Sequence, residues 1–222
     1  MRKIKSNFFI SLDGVVQSPD KWHFPYFDEE MGAAVGAGFA SADAMLMGRV
    51  LYREWAAYWP EHADEPFGDV MNSMKKYVLS SSLRTAEWEN TEVIGGDAAA
   101  QKLTEIKAGD GGDIAMSGSA TTVRWLLREG LLDELNLLVH PLVVGDGLAR
   151  LFPPDEPGTP LELLSAHTFK SGVLNLSYGV AGVGGPIGPP RSALCGRAAS
   201  AQHELRSRAW TIRPRGSISS TR

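Results

Sequence analysis

The stretch DIAMSGSATTVRWLLREGLLDELNLLVHPLVVGDGLARLF, residues 113–152, indicates the fold class of this chain. Its pattern predicts a strand over Asp113–Met116, a tight turn at residues 117–119, a helix over Thr121–Glu129 and a second strand over Leu135–His140. The helix is expected because its apolar residues recur on one face, and the strands because they are short apolar runs. A strand–turn–helix–strand unit of this kind builds parallel sheets.

The turn before this helix is a candidate anion site. The first N–H groups of a helix have no partner within the helix, and they favour a negative charge. Small residues also let a ligand approach the backbone closely. One interpretation is therefore a phosphate or diphosphate on Gly118, Ser119 and Thr121. The alternative is that Ser117 or Ser119 only caps the helix.

Composition bounds the class of protein. A length of 222 residues fits one large domain or two small ones, and 43% hydrophobic residues are enough for a sizeable core. The single cysteine, Cys195, excludes an internal disulfide and a cysteine metal cage. No apolar run is long enough for a transmembrane helix, and the N-terminal residues do not resemble a signal peptide. We expect a cytoplasmic protein without membrane contact.

The charge divides the chain into two parts. Residues 1–182 carry 15 basic and 25 acidic residues, whereas residues 183–222 carry seven arginines, no lysine and one glutamate. The acidic body makes nucleic acid an unexpected partner. The second part is rich in Gly, Pro, Ser and Arg, a composition that cannot bury a core. We predict a domain at 1–182 and a disordered tail at 183–222.

Other segments extend the alternation of strands and helices. Strands are predicted at Lys3–Leu12, Ala44–Met47, Lys76–Leu79, Thr91–Ile94, Leu161–Lys170 and Val173–Val180, with helices at about 28–39, 49–58, 68–74 and 97–107, and with Pro141–Val144 extending the strand that precedes it. The last two strands flank Ser171-Gly172 and form a hairpin. The expected fold class is α/β, with a mixed, mostly parallel central sheet, helices on both faces and a C-terminal antiparallel hairpin.

Several residues outside the opening stretch are candidates for binding. Trp22 and Phe24 lie in an aromatic loop that either closes over a flat ligand or plugs the edge of the core. Arg49 follows a strand end, where it either grips a phosphate or pairs with a nearby acid such as Glu54. Serines at 80 and 81 either bind sugar or phosphate or form a plain turn.

Taken together, these positions resemble the dihydrofolate-reductase superfamily, and more closely its riboflavin-biosynthesis reductase branch. The resemblance covers about residues 2–181. It is carried, in the order of the family, by SLDGVV at 11–16, WHFPYFDEEMG at 22–32, ADAMLMGRVLYREW at 42–55, KYVLSSSL at 76–83, VIGGD at 93–97 and the block at 117–152. It implies an eight-stranded sheet of dihydrofolate-reductase type, and NADPH as the hydride donor.

The resemblance also implies a cofactor site. Gly48 and Arg49 match the family's Gly-Arg at the cofactor phosphates, and Ser80 and Ser81 match hydroxyls beside the 2′-phosphate. The residues that match the pyrophosphate turn and helix start are Gly118, Ser119, Ala120 and Thr121. The nicotinamide is expected near Asp13 and Met116. Two positions depart from the family: Leu51 replaces a frequent Thr, and Ser117 replaces the first Gly of a Gly-Gly pair common in dihydrofolate reductases.

The resemblance implies a reductase that transfers a hydride from NADPH to a small, flat heterocycle, with 5-amino-6-(5-phosphoribosylamino)uracil as the substrate known in the riboflavin branch. Trp22 and Phe24 are the expected substrate contacts. Asp13 is the first candidate for a polar contact, unless it only forms an Asp-Gly turn. Asp28 is the candidate for proton relay, unless it only caps a helix.

The rival class is a protein that keeps the fold and binds a nucleotide or small molecule without turnover. A homodimer is plausible because relatives in the riboflavin branch pair. No metal site is expected, since the five histidines show no ligand spacing.

Overall fold

The first strand, β1 (Ile4–Ser11), has apolar side chains on both faces and is therefore suited to the centre of a sheet. Ile4, Phe8 and Ile10 are buried on one face, and Phe9 packs on the other. The computed structural model describes residues 1–145, 147–156 and 158–180.

The described residues form seven further strands and five α-helices. The strands are β2 (Ala42–Gly48), β3 (Lys75–Leu79), β4 (Thr91–Ile94), β5 (Asp113–Ser117), β6 (Glu134–His140), β7 (Leu161–Thr168) and β8 (Leu174–Val180), and the helices are α1 (Glu29–Ala40), α2 (Arg49–Tyr58), α3 (Gly68–Ser73), α4 (Ala99–Ala108) and α5 (Ala120–Arg128). These elements follow the predicted alternation, with boundaries that differ by one or two residues in most cases.

All eight strands form one sheet in the order β4-β3-β2-β5-β1-β6-β8-β7. The first six strands along the chain are parallel, while β8 is antiparallel to both β6 and β7. The predicted fold class, a mixed and mostly parallel sheet with a C-terminal antiparallel hairpin, is confirmed. The carboxyl ends of six parallel strands consequently meet at one edge, which is where ligands bind in open sheets of this kind.

Helices cover both faces of the sheet, as predicted. On one face, Leu103 of α4 and Leu126 of α5 are fully buried in the largest hydrophobic cluster. On the other face, Met31 of α1, Tyr52 of α2 and Met71 of α3 are buried in two smaller clusters. The smaller clusters leave space between α1 and the centre of the sheet.

Two local predictions are wrong. Pro141–Val144 does not extend β6, because the strand ends at His140 and the Leu142 N–H turns back to the His140 carbonyl at 2.8 Å. Proline at the next position has no N–H for the ladder. The helix predicted from 97 begins at Ala99, because residues 97–98 form a turn in which the Ala99 N–H donates to the Gly96 carbonyl at 3.2 Å.

Two other predictions concern the C-terminal tail and membrane-spanning helices. The tail at 183–222 lies outside the described residues, so the division at 182 stays a prediction. Within the described residues, none of the helices combines the length and the apolar character needed to cross a membrane.

One buried charge fixes the edge of the sheet near β3. The Lys76 side chain is fully buried, and its ammonium donates to the carbonyls of Asn72 and Met74 at 2.8 Å and of Glu89 at 3.1 Å. The same ammonium lies 4.3 Å from the centroid of the Trp88 ring. Burial lowers the pKa of Lys76 to about 8. Lys76 therefore joins α3, β3 and the segment before β4 through three backbone acceptors.

Replacing Lys76 with methionine should lower the free energy of unfolding by about 2–4 kcal/mol, because three partly buried hydrogen bonds from the buried ammonium to backbone carbonyls are lost. Lys75→Met is the matched control, since the Lys75 side chain is 41% exposed, forms an ion pair with Glu92 at 3.3 Å and lies 5.4 Å from the centroid of the Tyr77 ring. That variant should change stability by less than about 1 kcal/mol. Urea denaturation followed by far-UV circular dichroism measures both, and equal losses would contradict the anchoring role.

Candidate functional site

A cleft of about 1250 Å³ lies along the carboxyl ends of the strands. One part is lined by the ends of β3 and β4, through residues 79–82 and 95–96. The middle is lined by the starts of α2 and α5. The remaining part lies between α1 and the strands β1, β6 and β8. The cleft thus crosses the sheet at the edge expected for a ligand of an open parallel sheet.

The starts of α2 and α5 meet in the middle of the cleft. The residues before them, Gly48 and Ser119, make no side-chain cap to their own helices. Instead, the Gly48 N–H donates to the Ser119 hydroxyl at 3.1 Å. Two sets of uncapped helix N–H groups therefore face the same space, which favours an anion there. The interpretation that Ser119 only caps α5 is wrong.

Close approach explains the glycine at position 48. Its φ of −84° is ordinary, but a Cβ there would lie 2.8 Å from the Thr122 hydroxyl. The turn before α5 is equally tight, since Gly118 and Ser119 both have left-handed φ values, 72° and 62°. Small residues on both sides therefore let the two helix starts come together.

Ser80 organises the end of β3. Its hydroxyl accepts the N–H groups of Ser82 at 3.2 Å and Leu83 at 3.0 Å, so its hydrogen remains available to a ligand. Ser81 is exposed at the rim of the cleft. The backbone of Gly95 packs against this turn, where a Cβ would lie 2.1 Å from the Ser80 carbonyl oxygen.

Arg49 lines the cleft at the first residue of α2. Within the part of the chain that the structure describes, its guanidinium makes no ion pair or hydrogen bond, and the alternative pairing with Glu54 is not formed. A half-buried arginine beside uncapped helix starts leaves its donors available to phosphate oxygens.

Asp13 does not line the cleft, contrary to its predicted contact with substrate or nicotinamide. Its carboxylate accepts hydrogen bonds from the Ser11 hydroxyl at 2.6 Å and from the N–H groups of Val144 and Gly145 at 3.1 Å. These bonds, that of Ser11 first, hold the pKa of Asp13 well below its usual range. Asp13 therefore anchors the loop after β6, and the structure does not support a catalytic role for it.

Asp28 also lies outside the cleft lining. Its side chain accepts the Met31 N–H at 2.9 Å and caps α1, which is the alternative that the sequence left open. Because the carboxylate is engaged at the far end of α1, the structure does not support its predicted use as a proton relay.

Three other residues that were predicted to contact substrate or cofactor do not line the cleft. Trp22 is buried, with its indole N–H donating to the Gln17 carbonyl at 3.1 Å, so it supports the loop rather than covering a ligand. Phe24 points to solvent with 63% of its surface exposed. The Met116 side chain, on β5, is 1% exposed and packs in the largest hydrophobic cluster. The structure therefore gives none of the three a side chain at the site.

Residues that the sequence did not single out line the part of the cleft between α1 and the sheet. They are the asparagines Asn7, Asn136 and Asn175, together with Phe9, Ala34, Val35, Phe39 and Leu138. A signal did exist, because an asparagine facing inward on an apolar strand is unusual. The three asparagines are far apart along the chain, however, and only the sheet register brings them together.

Two buried histidines, one in the loop 17–27 and one on β6, have ring centroids 6.2 Å apart. His140 is fully buried at the end of β6, and His23 stacks on Phe9 with ring centroids 4.5 Å apart. Within the described ranges, His140 Nε2 and His23 Nδ1 have no hydrogen-bond partner. Burial lowers the pKa of both groups. Both therefore resist protonation in the folded state.

Residues 1–145, 147–156 and 158–180 contain no group of three or more acidic, histidine or cysteine side chains placed to hold a metal ion.

The eight-stranded, mostly parallel sheet with a cleft along its carboxyl edge defines an α/β ligand-binding fold. More narrowly, the chain belongs to the RibD C-terminal domain family, whose family model matches residues 2–175.

Several known proteins are similar to this chain. The chain is 28% identical over 182 residues to the uncharacterized protein YyaP of Bacillus subtilis, covering 80% of this chain and 94% of that protein. Its fold is similar to a putative riboflavin biosynthesis protein from Shewanella sp. PV-4, with a TM-score of 0.65, 18% identity, and coverage of 82% of this chain and 99% of the other. A pyrimidine reductase-like protein from Corynebacterium diphtheriae gives a TM-score of 0.59 at 15% identity, over 81% and 92% of the two chains.

Gly48→Ala should separate the helix starts, because its methyl group would press on Thr122. We expect a loss of about 1–3 kcal/mol in unfolding free energy, and the double variant Gly48→Ala/Thr122→Ala should recover most of it. Gly36→Ala in α1 is the control, since nothing lies within 4 Å of its added Cβ. That change should stabilise the protein by up to about 1 kcal/mol. Thermal and urea denaturation compare the four proteins, and an unaffected Gly48→Ala would contradict the close approach.

Stability should fall as the pH drops through 6.5, the ordinary pKa of histidine. Below that pH the unfolded chain takes up protons that buried His23 and His140 resist, at up to about 1.4 kcal/mol per pH unit for each histidine. His140→Leu should reduce this slope, whereas His167→Leu on exposed β7 should not. Urea titrations at pH 7.5, 6.5 and 5.5 measure how the free energy of unfolding changes with pH in each protein. Equal slopes for His140→Leu and the unchanged protein would show that His140 is not responsible.

Proposed function

We propose that this protein is an NADPH-dependent reductase that transfers a hydride to a small, flat heterocycle. The observation that carries the proposal is the junction of two uncapped helix starts beside Arg49, whose guanidinium has no partner among the residues that the structure describes. A dinucleotide diphosphate is the anion that such a junction suits. Membership of the RibD C-terminal domain family supports the same chemistry.

The order of groups along the cleft fits an extended dinucleotide. The diphosphate would be held by the backbone of residues 118–121 and by Gly48. The 2′-phosphate would be held by Arg49 with Ser80 and Ser81. From β3 to β1 there are three strand spacings, roughly 14 Å, so the nicotinamide end would reach the part of the cleft under α1. Preference for NADPH over NADH depends on Arg49 and the serines.

When bound, NADPH supplies a hydride to a carbon of a C=N or C=O bond, while the heteroatom takes a proton from a side chain or water. Phe9, Val35 and Leu138 form an apolar surface that would hold a flat ring near the sheet. Asp20 and Glu54 are the carboxylates that line the cleft within the described residues, and both are exposed. A proton donated by a side chain would therefore come from one of them.

A second candidate function is binding of a nucleotide without turnover. It is favoured by the engagement of Asp13 and Asp28 outside the cleft, which leaves the space under α1 without a buried acid. Hydride transfer to any substrate would exclude it.

Titration of NADPH and NADH into the full chain, followed by tryptophan fluorescence, tests the cofactor. We expect micromolar NADPH binding at least about tenfold tighter than NADH. Arg49→Ala should weaken NADPH binding about ten- to a hundredfold, or roughly 1.5–3 kcal/mol, because charge-assisted contacts to phosphate are lost. The same change should leave NADH affinity nearly unaltered.

Arg53→Ala is the matched control, being exposed one turn later on α2. It should alter neither affinity by more than about twofold. If the folded protein binds neither nucleotide, the reductase function is excluded and only the fold is shared.

A further inference from the structure

We propose that the part of the cleft under α1 selects an uncharged heterocycle with an amide-like edge and rejects phosphorylated substrates. This inference rests on the proposed function, because it assigns the substrate to the space beyond the nicotinamide. It is carried by three asparagine amides and by the charges of the cleft lining, which among the described residues place no free cation beside those amides.

The three asparagines share one face of the sheet. Asn7 of β1 lies directly opposite Asn136 of β6, and Asn175 of β8 lies opposite Leu138, two residues further along β6. Directly paired residues and residues two apart on a strand point to the same side. All three side chains line the cleft on the side covered by α1.

Most of the amide atoms in this group are available to a ligand. The Asn7 Nδ2 donates to the Met116 carbonyl at 3.2 Å, which leaves its Oδ1 as an acceptor. Along residues 1–145, 147–156 and 158–180, the side chains of Asn136 and Asn175 make no hydrogen bond. Each of these two amides therefore offers both a donor and an acceptor.

Helix α1 passes close above Asn7 and limits the height of the space there. A Cβ at Gly38 would lie 3.2 Å from both terminal atoms of the Asn7 amide. Phe9, Val35 and Leu138 complete an apolar lining beside the amides. A thin ring fits this space, and an edge that alternates C=O and N–H groups matches the donors and acceptors of the amides. Neutral pyrimidinediones and pterins have that edge.

The charges around the cleft oppose a phosphate at this end. Within the described residues, the charged side chains of the lining are Asp20, Arg49, Glu54 and Arg128. Arg128 pairs with Glu156 at 2.7 Å, and Arg49 lies at the helix starts assigned to the cofactor. Only carboxylates remain. Phosphate is bound most strongly by arginine, lysine and helix N–H groups, and among the described residues none of these lines the asparagine end.

The proposal therefore departs from the phosphorylated substrate of the riboflavin branch. The matched probes are 5-amino-6-(ribosylamino)uracil and its 5′-phosphate, which differ only in the phosphate group, with 7,8-dihydropterin as a second neutral ring. Calorimetric titration of each into the full chain, with NADP⁺ at saturation to prevent turnover, measures the preference. We expect at least one neutral ring to bind, and the phosphate-free uracil to bind at least about tenfold tighter than its phosphate.

Substitutions of two asparagines test whether their amides cause the preference for a neutral ring. Asn136→Leu and Asn175→Leu should each weaken the neutral ring about tenfold or more and leave NADP⁺ affinity unchanged. Ser177→Ala is the control, since Ser177 lies opposite Asn136 in the register but does not line the cleft. If Asn136→Leu does not fold, Asn136→Asp, which keeps the shape but loses the donor, tests the same contact.

Each outcome decides the question. Equal or tighter binding of the phosphate, no binding of any neutral ring, or unchanged affinity in the asparagine variants would overturn the proposal. NADP⁺ binding is measured separately, so its failure identifies an error in the proposed function instead. In that case the same titrations without nucleotide still test the asparagine end.

Discussion

The hydrogen bond from the Gly48 N–H to the Ser119 hydroxyl is the interaction on which the cleft depends. It ties the end of β2 to the turn after β5, the neighbouring strand. Because the serine oxygen is used between the two turns, it does not cap α5, and Gly48 has no side chain to cap α2. Both helices therefore keep their first N–H groups for a ligand. An electropositive centre is built here from backbone alone, with Arg49 as the adjacent side chain.

From this centre the cleft divides into two chemically different ends. The end near β3 and β4 has hydroxyls, exposed glycines and Arg49, which suit sugar and phosphate. The end under α1 has amides and apolar side chains, which suit a neutral ring. The division follows from the strand order, since β1 and β6 lie on one side of β5 while β2 and β3 lie on the other. One continuous groove can thus hold two ligands end to end.

The fold was predictable because its signals are local. Short apolar strands alternate with amphipathic helices, and the Gly/Ser turn before α5 marks a helix start whatever surrounds it. The carboxylates were not predictable in this way. Asp13 and Asp28 stand at the expected places in the sequence, but hydrogen bonds to Val144 and Met31 commit them to loop anchoring and helix capping. The asparagine group was missed because a strand register, not a sequence spacing, creates it.

The central position of β1 has a consequence for biosynthesis. Its partners β5 and β6 begin at Asp113 and Glu134, so β1 has no neighbour until most of the domain has been translated. At about 5–20 residues per second, the wait from Ser11 to the end of β5 at Ser117 is roughly 5–21 s. During this time the apolar segment around Phe8 and Phe9 is exposed on the nascent chain, open to aggregation or to chaperone capture. The strand at the centre of the finished sheet is thus the one that waits longest for a neighbouring strand during translation.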